Sequence, residues 1–194
     1  MSTLILAAMA ALFAPNLDAD ALQAEAVGLC RSGSHVLKDM RYYQGKILHP
    51  VKDAAHPRLV RNVKRCARIV RLALPFGRRT AILAGTIGYN ETLHNGSKVG
   101  KAGELGAMQV LAKYHCTPYP DLDDGKGGCT NPERAGVRAL RLMLTDNTDK
   151  KTGKVDEREA LLMWNARPGY GKKVIRWADL WEAKHVKLLG VAAR

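Results

Sequence analysis

Residues 81–110 read AILAGTIGYNETLHNGSKVGKAGELGAMQV, and this stretch decides how the fold is interpreted. An apolar run from Ile82 to Ile87 leads to a single carboxylate, Glu91, and a loop rich in glycine and lysine follows it. Apolar surroundings raise the pKa of a carboxyl group towards neutral pH, which suits a general acid. Glycines let a ligand approach the backbone closely. The stretch therefore predicts a helix that ends in a catalytic acid beside a glycine-rich loop.

Three blocks of the sequence resemble the catalytic core of the soluble lytic transglycosylase family, which shares its fold with goose-type lysozyme. Glu91-Thr92 matches the family's Glu-Ser step, and residues 103–109, GELGAMQ, match its Gly-Ala-x-Gly-Leu-Met-Gln block. Residues 163–169, MWNARPG, match its Ala-Tyr-Asn-Ala-Gly-x-Gly block. The blocks follow the family's order. The resemblance covers about residues 78–180 and leaves the first 75 residues unexplained.

The resemblance implies a reaction on bacterial peptidoglycan in which Glu91 acts first as acid and then as base. Glu91 would protonate the glycosidic oxygen between N-acetylmuramic acid (MurNAc) and N-acetylglucosamine (GlcNAc). It would then accept a proton from the muramic C6 hydroxyl, which attacks C1 and closes a 1,6-anhydro ring. Thr92, Gln109, Trp164 and Asn165 would bind sugar or shape the site. This reaction requires no cofactor and no metal ion, and it needs only one acid because the substrate supplies the nucleophile.

Two departures from the family pattern affect the expected site. Trp164 stands where the family has tyrosine, so a phenolic hydroxyl near the catalytic acid is lost, and Tyr89 or Tyr170 would have to replace it. Trp164 itself can stack on a sugar or fill the core. Arg167 replaces a glycine of the third block, which changes the expected bend of that loop.

Two other functions stay open at the level of sequence. A goose-type hydrolytic lysozyme (muramidase) would need a second carboxylate or a held water opposite Glu91. Glu104 lies in the right region, but its counterpart in the family pattern is a variable position. Alternatively, a lysozyme-like module without activity would bind cell wall or nucleic acid through a basic surface.

Composition favours a polyanionic partner. The 194 residues include 31 Lys and Arg against 18 Asp and Glu, a formal net charge of +13. Such a protein is attracted to polyanions, although charge can also serve solubility alone. We expect peptidoglycan strands as the partner, and components of a phage virion are a second expected partner. Residues 2–13 are expected to form a helix that packs in the core or, alternatively, contacts a membrane or a partner. Nucleic acid is disfavoured because no aromatic residues interleave the basic ones of residues 57–74.

The four cysteines bear on the cellular compartment in which the protein would act. Their wide spacing contains no C-x-x-C step, which disfavours a zinc site. Cys116 and Cys129 bracket a loop rich in Pro, Asp and Gly, so a bridge between them is natural and would leave Cys30 to pair with Cys66. Two disulfides would favour a periplasmic or other extracytoplasmic site of action, including a virion. Four reduced, buried thiols are the alternative.

The chain as a whole predicts a mostly helical protein, specifically a lysozyme-like α+β domain over residues 54–194 with an N-terminal helical extension over residues 1–53. A small β-hairpin or a loop is expected after Glu91. Asn131 and Asp156 are expected N-caps, and His185 is expected to be a partly buried structural residue. The predicted helices span residues 2–13, 17–30, 34–42, 57–74, 79–91, 106–114, 132–144, 157–166 and 170–188.

Overall fold

The computed structural model describes residues 19–36, 42–44, 47–49 and 57–192. Within them, the elements in chain order are α1 (Ala19–Val36), β1 (Tyr42–Gln44), β2 (Ile47–His49), α2 (Pro57–Ala73), a 3₁₀ turn (Leu74–Phe76), α3 (Arg78–Thr92), α4 (Ala112–His115), α5 (Pro132–Asp146), α6 (Glu157–Trp164) and α7 (Tyr170–Ala192). The prediction of a mostly helical protein is confirmed. No helix in these ranges is both long enough and apolar enough to cross a membrane. The helix predicted over residues 2–13, with its membrane contact, lies outside the described residues.

The core is built around α3. Every residue from 81 to 88 of this helix is buried, because α2, α5 and α7 all pack against it. Trp181 of α7 fills the space between α1 and α3, and its indole Nε1 donates a 2.8 Å hydrogen bond to the carbonyl of Leu29. A Cβ at Gly85 would lie 2.7 Å from the Trp181 ring, and a Cβ at Gly33 would lie 2.4 Å from it. These two glycines therefore let the indole sit directly against both helices.

The helix α1, which belongs to the predicted extension, shares this core. The Cys30–Cys66 disulfide joins α1 to α2 with a Cα–Cα distance of 5.9 Å. Ser32 Oγ and His185 Nδ1 are 3.0 Å apart, and both side chains are buried. The expected disulfide and the expected burial of His185 are thus confirmed, and α1 supplies the histidine's partner.

The predicted caps and the second disulfide are also confirmed. The Asn131 side chain accepts a 2.9 Å hydrogen bond from the backbone N–H three residues later, which begins α5. Asp156 makes the same kind of bond at 3.0 Å and begins α6. Cys116 and Cys129 are bonded with a Cα–Cα distance of 5.4 Å. The bridge closes the loop that precedes α5.

Two predicted helices are wrong. The helix predicted over residues 34–42 disagrees at both ends, because α1 continues through Val36 and Tyr42 begins β1; residues 37–41 lie outside the described residues. The helix predicted over residues 106–114 is confined to α4, since residues 106–109 form a turn instead. In that turn Gly106 has a φ of 72° and Gln109 a φ of 55°, which a right-handed helix does not allow.

The region after Glu91 is a loop rather than a pair of strands. It is closed by isolated antiparallel bridges, Val99 with Leu105 and Leu105 with Val110. The paired strands of the described chain, β1 and β2, come before α2. The small β element therefore lies earlier in the sequence than the hairpin that the lysozyme-like reading favoured.

Candidate active site

The catalytic candidate, Glu91, lies in the last turn of α3. The helix ends because Leu93 and His94 both adopt left-handed backbone conformations, with φ of 56° and 60°. Their N–H groups bond to the carbonyls of Tyr89 and Gly88, each at 2.9 Å, and so close the free end of the helix. Residues other than glycine adopt such conformations only where surrounding contacts hold them. The end of α3 must therefore be fixed by tertiary structure.

His94 provides that contact. Its buried ring donates from Nε2 to the carbonyl of Gly85 at 2.7 Å. The ring lies directly over Gly88, where a Cβ would be 3.2 Å from His94 Cδ2 and 2.7 Å from Ile69 Cδ1. Burial lowers the pKa of His94 to about 4, and the nearby charge of Arg65 adds to this effect. The ring is therefore neutral at neutral pH and clamps the helix end.

Thr92 fastens the end of α3 to the turn at residues 106–109. Its hydroxyl donates to the carbonyl of Ala107 at 2.9 Å and accepts from the backbone N–H of Asn95 at 2.9 Å. Below the turn, Met108 is fully buried, and a Cβ at Gly136 would lie 2.8 Å from its sulfur. Thr92 was predicted to contact sugar, but its hydroxyl is engaged by the protein and does not line the cleft described next.

A cleft of about 620 Å³ opens beside Glu91. Four of the five predicted site residues, Glu91, Gln109, Trp164 and Asn165, line it together. The others that line it are Lys98, Val99, Gly100, Lys101, Glu104, Val110, Leu111, His115, Met143, Met163 and Arg167. Ligand clefts typically measure about 300–1,000 Å³, so this one has room for a substrate of several rings. Trp164 is half-buried, packs against the core and also faces the cleft.

Tyr170, the first residue of α7, is a buried neighbour of Glu91. Burial raises its pKa well above the usual value, and the Glu91 carboxylate raises it further. Among the described residues, neither Glu91 Oε1 nor the Tyr170 hydroxyl completes a hydrogen bond, although both atoms are buried. Tyr89, the other tyrosine considered, packs against His94 and Trp177 instead, with ring centroids 5.8 and 5.5 Å away.

Two amide side chains each keep one polar atom for the cleft. Gln109 Nε2 donates to the carbonyl of Gly106 at 2.8 Å, which braces the turn and leaves Oε1 as an acceptor. Asn165 Oδ1 accepts from the N–H of Arg167 at 3.1 Å, which leaves Nδ2 as a donor. An acetamido group offers one N–H and one carbonyl, so this acceptor and this donor match its chemistry.

Cations outnumber carboxylates in the cleft. Lys98, Lys101 and Arg167 line it, against Glu91 and Glu104. One oxygen of Glu104 accepts from the N–H of Ala102 at 2.9 Å, which ties this acid to its own loop. No cluster of three or more His, Cys, Asp or Glu side chains able to hold a metal ion occurs in the described ranges. The two lysines were not predicted as site residues, although the alternation of Lys and Gly between residues 96 and 103 was a usable signal.

Comparisons of the chain with models of protein families, with curated proteins and with solved structures found no match in any of the three.

Proposed function

We propose that the protein is a lytic transglycosylase that cleaves the MurNAc-β-1,4-GlcNAc bond of bacterial peptidoglycan and leaves a 1,6-anhydro ring. The observation that carries the proposal is the buried Oε1 of Glu91, which has no partner among the described residues and stands beside a cleft of about 620 Å³. A buried polar atom without a partner is costly in a folded protein and is expected where a ligand completes the bonding. A lysozyme-like α+β fold is part of the same proposal.

The chemistry would use Glu91 twice. Its carboxyl proton passes to the glycosidic oxygen as the bond from C1 of MurNAc to that oxygen breaks. The resulting carboxylate then accepts the proton of the C6 hydroxyl while O6 bonds to C1. No water is consumed, so the second carboxylate of ordinary glycosidases is not required.

Neighbouring side chains would support these steps. The Tyr170 hydroxyl stays protonated because its pKa is raised, and it can therefore approach the Glu91 carboxylate only as a donor. It would hold that carboxylate in place, as the family's lost tyrosine would have done. The free amide atoms of Gln109 and Asn165 would bind an acetamido group of the substrate, and Trp164 would offer its ring to a sugar face.

A hydrolytic lysozyme of the goose type is the second candidate, and one observation favours it. Glu104 lines the same cleft as Glu91, so the cleft holds two carboxylates, the number that hydrolases use. Because Glu104 is bonded to its own loop, we expect it to shape that loop rather than to activate water.

The two disulfides support an oxidising workplace, because such bonds persist mainly outside the cytoplasm. We propose that the protein acts in the periplasm or at another extracytoplasmic surface. Carriage on a phage virion would be one way of reaching it.

Mass spectrometry of the products of purified peptidoglycan tests these alternatives. The wild type is compared with Glu91→Gln, which keeps the shape of the side chain but cannot donate the proton, and with Glu104→Gln as the matched control. We expect fragments about one water lighter than hydrolysis products from the wild type and from Glu104→Gln, and none from Glu91→Gln. Reducing ends that disappear with Glu104→Gln would establish the hydrolase. No fragments from any protein, on walls from several bacteria, would refute both reactions and favour an inactive binding module.

A further inference from the structure

We infer that Lys98, Lys101 and Arg167 form a carboxylate-binding subsite, which recognises the anionic side arm of the glycan within the cleft. The inference rests on the proposed function. That function concerns the glycosidic bond that is cleaved, and the inference adds how the carboxylates of the glycan's side arms are recognised.

The first observation is that these cations lack protein partners. No carboxylate among the described residues forms a salt bridge with Lys98, Lys101 or Arg167, whereas Arg79 binds three, Glu157 at 2.7 Å, Asp179 at 2.8 Å and Glu182 at 3.0 Å. Arg78, Arg134 and Arg138 also have carboxylate partners. Other exposed basic side chains of the described chain, such as Lys113, Lys126 and Arg176, likewise form no salt bridge. What sets Lys98, Lys101 and Arg167 apart is that they line one cleft together, beside the candidate acid.

The second observation is the balance of charge in the cleft. Three cations line the cleft against the carboxylates of Glu91 and Glu104, and Glu104 already accepts a hydrogen bond from its own loop. His115 adds no charge at neutral pH, because burial lowers its pKa. A cleft lined with one sign of charge raises the local concentration of ligands of the opposite sign.

The chemistry of the side chains narrows the ligand to an anion with planar oxygens. The guanidinium of Arg167 matches a carboxylate in a two-bond fork, and the lysines add mobile point charges. The muramoyl sugar carries a lactyl ether that ends in a carboxylate, or in a peptide stem whose own ends are carboxylates. A polymer of N-acetylglucosamine carries neither and is neutral. The subsite would thus distinguish peptidoglycan from neutral glycans that share the same acetamido groups.

Calorimetry with the full chain tests the subsite without turnover when Glu91→Gln is the parent protein. Four soluble ligands are compared: a disaccharide with its peptide stem, the same molecule with every carboxylate converted to a methylamide, the stem-free disaccharide with its lactyl carboxylate, and a neutral oligomer of N-acetylglucosamine. Lys98→Gln, Lys101→Gln and Arg167→Gln are combined in one variant. A control variant combines Lys113→Gln, Lys126→Gln and Arg176→Gln, which removes the same charge from exposed positions that do not line the cleft.

We expect conversion to methylamides to raise Kd about tenfold for the parent and the control, since each exposed ion pair changes Kd roughly 1.5- to 5-fold. For the cleft variant the same conversion should change Kd less than about twofold, and salt at about 0.15 M should weaken the preference of the parent. Tight binding of the stem-free disaccharide would assign recognition to the lactyl carboxylate, and weak binding would assign it to the stem.

Equal affinity of the parent for the carboxylate and methylamide ligands would overturn the inference. So would the same loss of preference in the control variant, or no measurable binding of any ligand. These results are separate from the catalytic test. If the wild type cleaves strands but the Glu91→Gln parent binds carboxylate and methylamide ligands equally, the proposed reaction stands and the subsite is refuted. If the wild type cleaves nothing but Glu91→Gln still prefers carboxylate ligands, the subsite stands and the proposed reaction is refuted.

Discussion

Acid should weaken the protein through His94, because this residue clamps the end of the helix that carries Glu91. Burial lowers the pKa of His94 from an ordinary 6.5 to about 4 in the folded state. Between those values the unfolded chain binds more protons than the folded one, so the free energy of unfolding falls as pH falls through this window. The loss begins near the ordinary pKa and ends once the pH is below the folded-state pKa.

The size of the effect follows from this difference. One pKa unit corresponds to about 1.4 kcal/mol, so the contribution of His94 should fall by about 2 kcal/mol between about pH 7 and pH 5, and by roughly 3 kcal/mol at about pH 4. This is a large fraction of the total for a domain whose stability is on the order of 10 kcal/mol. Protonation would place a charge in a site that also faces Arg65, which explains why no compensating interaction is expected there.

Urea unfolding followed by tryptophan fluorescence at several pH values measures the loss. The comparison is His94→Gln, whose amide can still donate to the carbonyl of Gly85 but does not titrate. We expect the variant to be less stable at about pH 7 because of altered packing, and to lose about 2 kcal/mol less than the wild type on acidification to about pH 5. Parallel pH curves for the two proteins would refute this account. So would an NMR titration that places the pKa of His94 near 6.5.

Three further predictions concern Tyr170, the helix glycines Gly88 and Gly28, and the Cys30–Cys66 disulfide. Tyr170→Phe should lower kcat/KM about tenfold to a hundredfold, because the proposed reaction uses this hydroxyl to hold the Glu91 carboxylate. It should leave the urea midpoint unchanged or higher, because the hydroxyl completes no hydrogen bond among the described residues, and a large loss of stability would contradict this. Gly88→Ala should lower the free energy of unfolding by about 1–3 kcal/mol, because the added methyl group overlaps the side chains of Ile69 and His94. Gly28→Ala, in open space on α1, should raise it by about 0.5–1 kcal/mol. Equal urea midpoints for the two variants would contradict this. Replacing Cys30 and Cys66 by alanine should cost about 3–4 kcal/mol, seen as a lower Tm, since the bridge closes a separation of 36 residues; an unchanged Tm would contradict this.

Local rules were sufficient for the elements whose signals are local. Asn131 and Asp156 begin helices because a short polar side chain there can accept from an orphan N–H three residues later. In α2, Val63, Cys66 and Val70 recur at helical spacing, and all three are buried. Disulfide pairing was also accessible, since closing one loop leaves a single partner for each remaining cysteine.

Prediction failed where distant residues decide the conformation. Residues 106–114 look helical by composition, yet Gly106 takes a positive φ and packs against Pro132, which lies too close for a Cβ there. The side chain of Thr92 turns to Ala107 for the same kind of reason, because its nearest acceptor comes from a segment 15 positions later. Neither contact has a signature within its own window of sequence.

At the candidate site, too, the sequence predicted which residue types are present but not which contacts position them. The sequence blocks predicted the groups that would carry chemistry, Glu91 above all, but gave no sign of the contacts that hold the end of its helix. His94 folds back onto α3, Thr92 joins the helix to the next turn, and Tyr170 lies near the carboxylate at the start of α7. A lone acid at a helix end is a common feature of any protein surface. What distinguishes Glu91 is that His94 and Thr92 fix the end of the helix that carries it, while its buried Oε1 completes no hydrogen bond among the described residues, as expected of a group whose partner is a ligand.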